Sequence, residues 1–326
     1  MIRFALCAAL LAFASACSPV RADAPIDEQW RSVAVSARPA ELGEERIGVL
    51  QFRGGLELSS DDAGFGGWSG LEVLEDGRLI AVSDAGAWLS ARLMFDDEGK
   101  LIGLSETRMA LMRDENGLPF ERKEDGDAED LAQLPDGRFA VSFEQSQSIR
   151  IYDLNRDGPF GAASAGPALE AAQSLPSNAG LEALTALADG ALLVGAEDRG
   201  ELWRAPLFGN EPAPALAARY PLQLGYALVS LDRLPDNDDV VALERFYAPV
   251  IGVRTRITRI AVDSLQSDEL RVTEWARFAP PLLLDNFEAI ATARAPGGGL
   301  RLYILSDDNF SDQQRTLLYA FDAALD

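Results

Sequence analysis

The sequence predicts an all-β fold, a β-propeller of four-stranded blades, on three observations. Tight-turn signals recur five times, each between two short apolar runs; the run after each turn closes on an acid at a nearly constant distance; and no stretch carries a sustained helical period. A β-sandwich built from the same hairpins is the competing architecture, and the constant register of the acids favours the radial one.

The turns are Glu75-Asp76-Gly77-Arg78, Pro135-Asp136-Gly137-Arg138, Ala188-Asp189-Gly190, Pro235-Asp236-Asn237 and Pro296-Gly297-Gly298-Gly299. Pro, Asp, Asn and Gly in this order reverse a chain, and the flanking Val, Leu, Ile and Phe make the strands. The second strand of each hairpin ends at Asp84, Glu144, Glu197, Glu244 or Asp307, seven residues after the turn Gly or Asn in the first four units and eight after Gly299 in the fifth. Fifteen residues before that acid the first strand opens at Ser69, Glu129, Glu182 or Val229. In the fifth unit Glu288 precedes Asp307 by nineteen, an expansion assigned to the Gly-rich turn.

Third strands are expected over 88–95, 148–154, 201–207, 255–262 and 316–321, and fourth strands over 107–112, 217–222 and 271–278. The last unit runs out of chain after its third strand. The N-terminal run Arg46 to Leu58 is expected to supply the missing fourth, closing the ring and removing exposed sheet edges. Five units are countable, and the connections at 93–125 and 245–285 leave room for a sixth.

Residues 1–22 carry Arg3, an apolar run from Phe4 to Ala14 and small residues after it, the layout of a secretory signal too short for a membrane-spanning helix. Two outcomes stay open: cleavage after Ala22, or lipidation of Cys17 behind Ala14-Ser15-Ala16. Either implies a periplasmic or secreted protein, and a lipid on Cys17 is the one membrane attachment expected. Residues 23–45 are expected as a polar linker and 46–326 as the domain.

Composition excludes several chemistries. The chain has 29 basic and 52 acidic side chains, a net charge of −23, which repels the phosphates of nucleic acid. Histidine is absent, so Ser-His-Asp, Cys-His and His-zinc sites are ruled out. The only cysteines, Cys7 and Cys17, lie in the N-terminal segment, which removes internal disulfides and Cys-based zinc from the mature domain.

What remains is carboxylate chemistry. The first strand of each blade lines the central channel of a propeller, so Glu129, Glu182 and Glu288 are expected at one mouth, with Asp84, Glu144, Glu197, Glu244 and Asp307 one strand out. So many facing carboxylates either raise their pKa values or recruit a cation. Calcium is the expected cation, since it takes six to eight oxygen ligands. Arg245, beside Glu244, together with Arg315 and Asp308, near Asp307, are the expected contacts for a small anionic or ester substrate, with Arg254, Arg256 and Arg259 as further cations. Two motifs are set aside. Asp153 to Gly158 resembles half an EF-hand loop but reads as an inter-strand turn, and Gly67-Trp68-Ser69 lacks a histidine to activate the serine. Trp68, Trp88, Trp203, Phe246 and Phe287 are expected between blades, Trp68 also at the channel mouth.

Several short motifs in fixed order carry a resemblance: Gly67-Trp68-Ser69-Gly70-Leu71-Glu72 with Ser83-Asp84, Asp127-Ala128-Glu129-Asp130-Leu131 with Glu144, Leu243-Glu244-Arg245-Phe246, Asp285-Asn286-Phe287-Glu288, and Leu305 to Phe310 with Gln314-Arg315-Thr316. Together they span about residues 45–323, and in them the chain resembles the phytase-like domain family, described by an esterase-like activity of phytase. The resemblance implies an exported propeller linked to phosphoester hydrolysis. The chain departs from calcium-dependent β-propeller phytases in having no dense lysine cluster for a hexaphosphate. Three readings follow: a calcium-dependent phosphoesterase or esterase-like hydrolase, a non-catalytic calcium-stabilised binding propeller, and a lactonase-like hydrolase.

Overall fold

The hairpin turns are fixed by their own side chains. Asp76, Asp136 and Asp189 each accept the backbone N–H two residues on, at 3.0–3.1 Å. Gly77, at φ +80°, then reverses the chain where an L side chain is strained. These turns organise a computed structural model that describes residues 25–176, 180–207, 213–267 and 269–324. The expected leader and Cys17 lie outside the described residues, as does part of the expected linker.

Five antiparallel four-stranded blades follow one another around a ring. The first comprises Trp68–Val73, Arg78–Ser83, Ala87–Phe95 and Leu101–Leu111, and the second Ala128–Gln133, Phe139–Phe143, Ser148–Tyr152 and the short Ser164–Ala165. The third comprises Leu181–Ala186, Leu192–Ala196, Glu201–Ala205 and Ala215–Arg219, and the fourth Tyr226–Arg233, Val240–Ala248, Gly252–Ile260 and Val272–Phe278. The fifth takes Asn286–Arg294, Leu300–Asp307 and Thr316–Ala323 from the C-terminal end and Leu50–Ser59 from the N-terminal end, so the ring closes by strand pairing as expected. No sixth blade forms among the described residues, because the connections at 93–125 and 245–285 go into the long outer strands of the first and fourth blades and the loops beside them. Two stretches of the expected linker pair with blades: Ser36–Pro39 lies against Leu50–Ser59, and Arg31–Ser32 against the outer strand of the first blade.

Each interface between adjacent blades holds its own apolar cluster. Trp68 sits between the fifth and first blades, Trp88 between the first and second, Trp203 between the second and third, and Phe287 between the fourth and fifth, with Leu193, Leu228 and Leu231 between the third and fourth. Burying one such side chain contributes about 1.5–3 kcal/mol. Trp68 is fully buried with its ring 5.4 Å from that of Phe65, so it packs the interface and does not reach the mouth. Phe246 stays within its own blade, its ring centre 5.4 Å from that of Tyr226 and tilted 40° to it.

One irregularity repeats in every blade. At Ser69, Glu182, Val229 and Glu288 the inner strand carries one residue more than its partner strand, and in the second blade Glu129 and Asp130 together face Ser142. A β-bulge turns a side chain out of the regular alternation. In three of the five blades the side chain so turned is a glutamate.

Candidate functional site at the acidic channel mouth

Just before each bulge, the inner strand pairs with the ring position on the second strand. The pairs are Gly67 with Asp84, Asp127 with Glu144, Gly180 with Glu197, and Asn286 with Asp307. In the fourth blade the pair is Ala227 with Arg245, while Glu244 pairs one step earlier with Leu228. The expected ring residue Glu244 is therefore replaced by Arg245. The cause is the turn. Leu234 N–H donates to the carbonyl of Asp239, five residues on, where the other four turns span four, as from Leu74 to Arg78. One extra turn residue moves every later side chain of that strand to the opposite face. Glu244 is fully buried away from the mouth, where its Oε1 takes the Tyr220 hydroxyl and Arg256 Nη1, the latter at 2.6 Å. Arg256 and Arg259 are committed to Glu274 and Asp239 respectively, not to the mouth.

The fifth blade corrects a second expectation. Its turn, Ala295 to Gly299, has the common length, and the four extra residues between Glu288 and Asp307 form two additional positions in each strand. An even extension keeps the facing of the side chains, so Glu288 and Asp307 stay at the mouth.

The mouth thus gathers Glu129, Glu182 and Glu288 on bulges with Asp84, Glu144, Glu197 and Asp307 one strand out. Asp127, not singled out from the sequence, joins them. The carboxylate oxygens of Asp127, Glu129 and Glu144 lie within 4.8 Å of one another, as do those of Glu144, Glu182 and Glu197. Burial is the main cause of the shifted acidities, reinforced by the neighbouring carboxylates. It pushes Glu129 and Glu182 far above the ordinary range, Glu144 up to about 7 and Asp307 up to about 8. Burial also raises Asp127, Glu197 and Glu288, the last two held back by Arg245.

Two cations oppose this charge. Arg245 Nη1 lies 2.8 Å from Glu288 and donates to Asn286 Oδ1 at 2.7 Å, while Nη2 reaches Glu197 at 3.3 Å. Lys123, on a short 3-10 turn in the connection between the first and second blades, places Nζ 2.6 Å from Asp84 Oδ2.

The two other expected substrate contacts serve the framework. Asp308 accepts the Gly67 N–H and the Phe310 N–H, both at 3.0 Å, and the Thr316 hydroxyl at 2.9 Å, pinning the last loop of the fifth blade to the first. Arg315 pairs with Asp285 at 3.4 Å. The EF-hand-like stretch is an inter-strand turn, in which Asp153 accepts the Arg156 N–H at 2.9 Å.

The donor set suits a hard cation. All the clustered ligand atoms are oxygens, and their lying within 4.8 Å of one another is compatible with oxygens placed about 2.3–2.6 Å from one calcium ion. Among the described residues, Asp84 Oδ1 and Gln147 Oε1 are buried oxygens without a hydrogen-bond partner. Both lie against a glycine that opens an inner strand. A Cβ on Gly67 would come 2.1 Å from Asp84 Oδ1, and one on Gly180 would come 3.0 Å from Gln147 Oε1.

Beyond the mouth along the inner strands, Asp130 bridges the blades. This side chain is fully buried and accepts from Leu184 N at 2.9 Å, Ser230 Oγ at 3.1 Å and Leu231 N at 3.2 Å, tying the second blade to the third and fourth. Ser230 Oγ in turn accepts the Ile290 N–H of the fifth blade at 3.1 Å. The inward-facing N–H groups of inner strands, which have no strand beyond them, find their acceptors here.

Comparison with solved structures finds similar chains of low identity. A gluconolactonase from Xanthomonas campestris is 11% identical with a TM-score of 0.45, covering 89% of this chain and 99% of that one. Virginiamycin B lyase from Staphylococcus aureus is 8% identical with a TM-score of 0.43, covering 89% and 99%. The aldose sugar dehydrogenase from Streptomyces coelicolor is 13% identical with a TM-score of 0.43, covering 90% and 100%. At these scores the activities of those proteins carry nothing over to this one. A comparison with the curated proteins finds no match. The sequence profile of the phytase-like family, described as esterase-like activity of phytase, matches residues 63–310, more than half of the 326. That span runs from just before the first inner strand to the loop after Asp307, and the chain belongs to the phytase-like family.

Proposed function

We propose that the chain is a calcium-dependent ester hydrolase acting at the acidic mouth. The observation that supports this most directly is the pair of overlapping carboxylate triads, Asp127–Glu129–Glu144 and Glu144–Glu182–Glu197. Calcium held there would supply electrostatic stabilisation for negative charge developing on the ester. Arg245 pairs with Glu197, a member of that set, and with Glu288 beside it, and lends the rim a fixed donor. Asp307, outside both triads and with its pKa near 8, carries a proton at neutral pH that a leaving alkoxide can accept.

The charge balance bears on the substrate. Eight carboxyl groups face Arg245 and Lys123, and both cations are already engaged with carboxylates. A phosphomonoester dianion is repelled by that surface, so a neutral ester or lactone is the better fit.

The experiment is a panel of phosphomonoesters, carboxylic esters and lactones assayed with calcium and with chelator, alongside calcium calorimetry. Glu129→Gln is expected to lose both calcium heat and turnover, and Asp307→Asn to lose turnover while keeping the heat. Calcium heat without turnover on any substrate would replace the hydrolase with a calcium-stabilised binding propeller. Absence of both would remove the metal site as well. Export belongs to the same proposal and is tested by the intact mass of the mature chain, which distinguishes cleavage after Ala22 from a lipid on Cys17.

A further inference from the structure

We propose that the opposite end of the channel is a second ligand site, built to take a small organic cation of the ammonium class. A cavity of about 700 Å³ opens where the inner-strand hairpins turn, on the far side of Asp130 from the acidic mouth, and Glu72, Val73, Leu93, Asp232 and Tyr303 are among its lining residues. That volume is ordinary for a small-molecule site. Its walls are apolar on the side of Val73, Leu93 and Tyr303, and its floor carries two carboxylates.

The floor decides the ligand class. Asp232 is 8% exposed and saturated, with Oδ1 taking the Arg233 N–H at 2.7 Å and Oδ2 taking Thr292 N at 2.5 Å and Oγ1 at 2.8 Å. It contributes charge but few free lone pairs. Glu72 is 9% exposed, and its Oε1 accepts the Gln133 N–H at 2.6 Å. Among the described residues, no hydrogen bond reaches Glu72 Oε2. A divalent metal that needs six or more oxygens is poorly served, because of the other two acids lining the cavity Asp76 is held by Arg78 and Glu75 is exposed to solvent. A single positive charge on an organic body is well served by Glu72 Oε2 and the apolar walls.

Counter-charge from the protein is already spent. Arg233 donates to the Ala186 carbonyl at 3.0 Å and pairs with Asp238 at 3.6 Å, and Arg294 pairs with Asp236 at 2.6 Å. Burial, and then the charge of Asp232, hold Glu72 far above the ordinary carboxylate range, and the Gln133 N–H and the more remote charge of Arg233 offset this only in part. This site is independent of the hydrolase reading.

The test is calorimetry and ligand-observed NMR on the full chain, in chelator, with n-butylammonium and choline as probes and 1-butanol as the neutral isostere. At least one of the two cations is expected to bind and 1-butanol to give no signal. Glu72→Gln keeps the bond to Gln133 but removes the charge, and is expected to weaken binding by about tenfold or more. Ala293→Leu, which narrows the cavity from a half-buried wall position, is expected to weaken it too and serves if Glu72→Gln does not fold. Glu182→Gln, at the other end, is expected to leave it unchanged. Silence from both cations, equal binding of 1-butanol, or loss in Glu182→Gln with none in the two cavity variants overturns the proposal.

Discussion

Replacing Glu144 by Gln should make the metal-free protein more stable at pH 8, although Glu144 belongs to both carboxylate triads. Burial and the neighbouring Asp127 and Glu197 raise its pKa from 4.5 to about 7. The folded state therefore binds this proton more tightly than the unfolded state does. The associated stability is complete below pH 4.5 and is lost as pH rises through 7. The shift corresponds to about 3 kcal/mol at 1.36 kcal/mol per unit. Asp307, raised from 3.8 to about 8, loses stability in the same direction over a window reaching about one pH unit higher. At about 2 °C per kcal/mol for a domain of this size, Glu144 alone lowers the melting temperature by roughly 6 °C between pH 5 and 8.

Gln mimics the protonated carboxyl at all pH values. In chelator, Glu144→Gln should melt roughly 6 °C above the unsubstituted protein at pH 8 and merge with it near pH 5. Calcium should reverse the order at pH 8, because it binds the ionised form. Pairs such as Asp136 with Arg138, whose aspartate pKa is lowered, change stability only below about pH 4 and leave this window clear. Differential scanning calorimetry across pH decides the matter. A melting temperature that rises from pH 5 to 8 in chelator, or a Glu144→Gln protein less stable at pH 8, would refute the reasoning.

Arg245→Gln should destabilise by about 3–5 kcal/mol in urea unfolding at pH 8, since it strips Glu197 and Glu288 of their buried partner; a loss confined to activity would count against the pairing. Glu244→Gln should cost a similar amount, about 3–5 kcal/mol, by leaving Arg256 short of a charge, yet leave calcium affinity unchanged in calorimetry because its carboxylate faces away from the ring. Lys123→Met should change stability by less than about 1 kcal/mol, as its ammonium is well exposed, and should tighten calcium binding by freeing Asp84. Weaker calcium binding in that variant would show that Lys123 does not compete for the site.

The architecture was legible in the sequence because turn chemistry is local. Asp-Gly in the first three turns, Pro-Asp-Asn in the fourth and Pro-Gly-Gly-Gly in the fifth announce the hairpins between apolar runs, and counting from the turn placed Glu129, Glu182 and Glu288 together. The same counting failed at Glu244 and Arg245, where Pro235-Asp236-Asn237 looks like its siblings and the extra residue, Asp238, reads as ordinary loop polarity. Asp127 escaped because an acid two residues before Glu129 shows no periodic signal, and it becomes significant only once its pairing with Glu144 is known. The framework role of Asp308 was hidden for a different reason. Its partners Gly67 and Thr316 belong to the first and fifth blades, and only ring closure makes them neighbours.

The five-residue turn of the fourth blade points to how such a ring can diversify. Loops at that end of the blade are solvent-exposed and tolerate changes of length at small cost. Losing one residue there would bring Glu244 into the ring and turn Arg245 away, shifting the formal charge of the mouth by two without substituting a single residue that lines it. Length variation at a distant surface turn is thus a tuning control for the chemistry at the opposite end of the channel. Relatives with and without the extra residue are expected to differ in ligand charge even where their mouth motifs read alike.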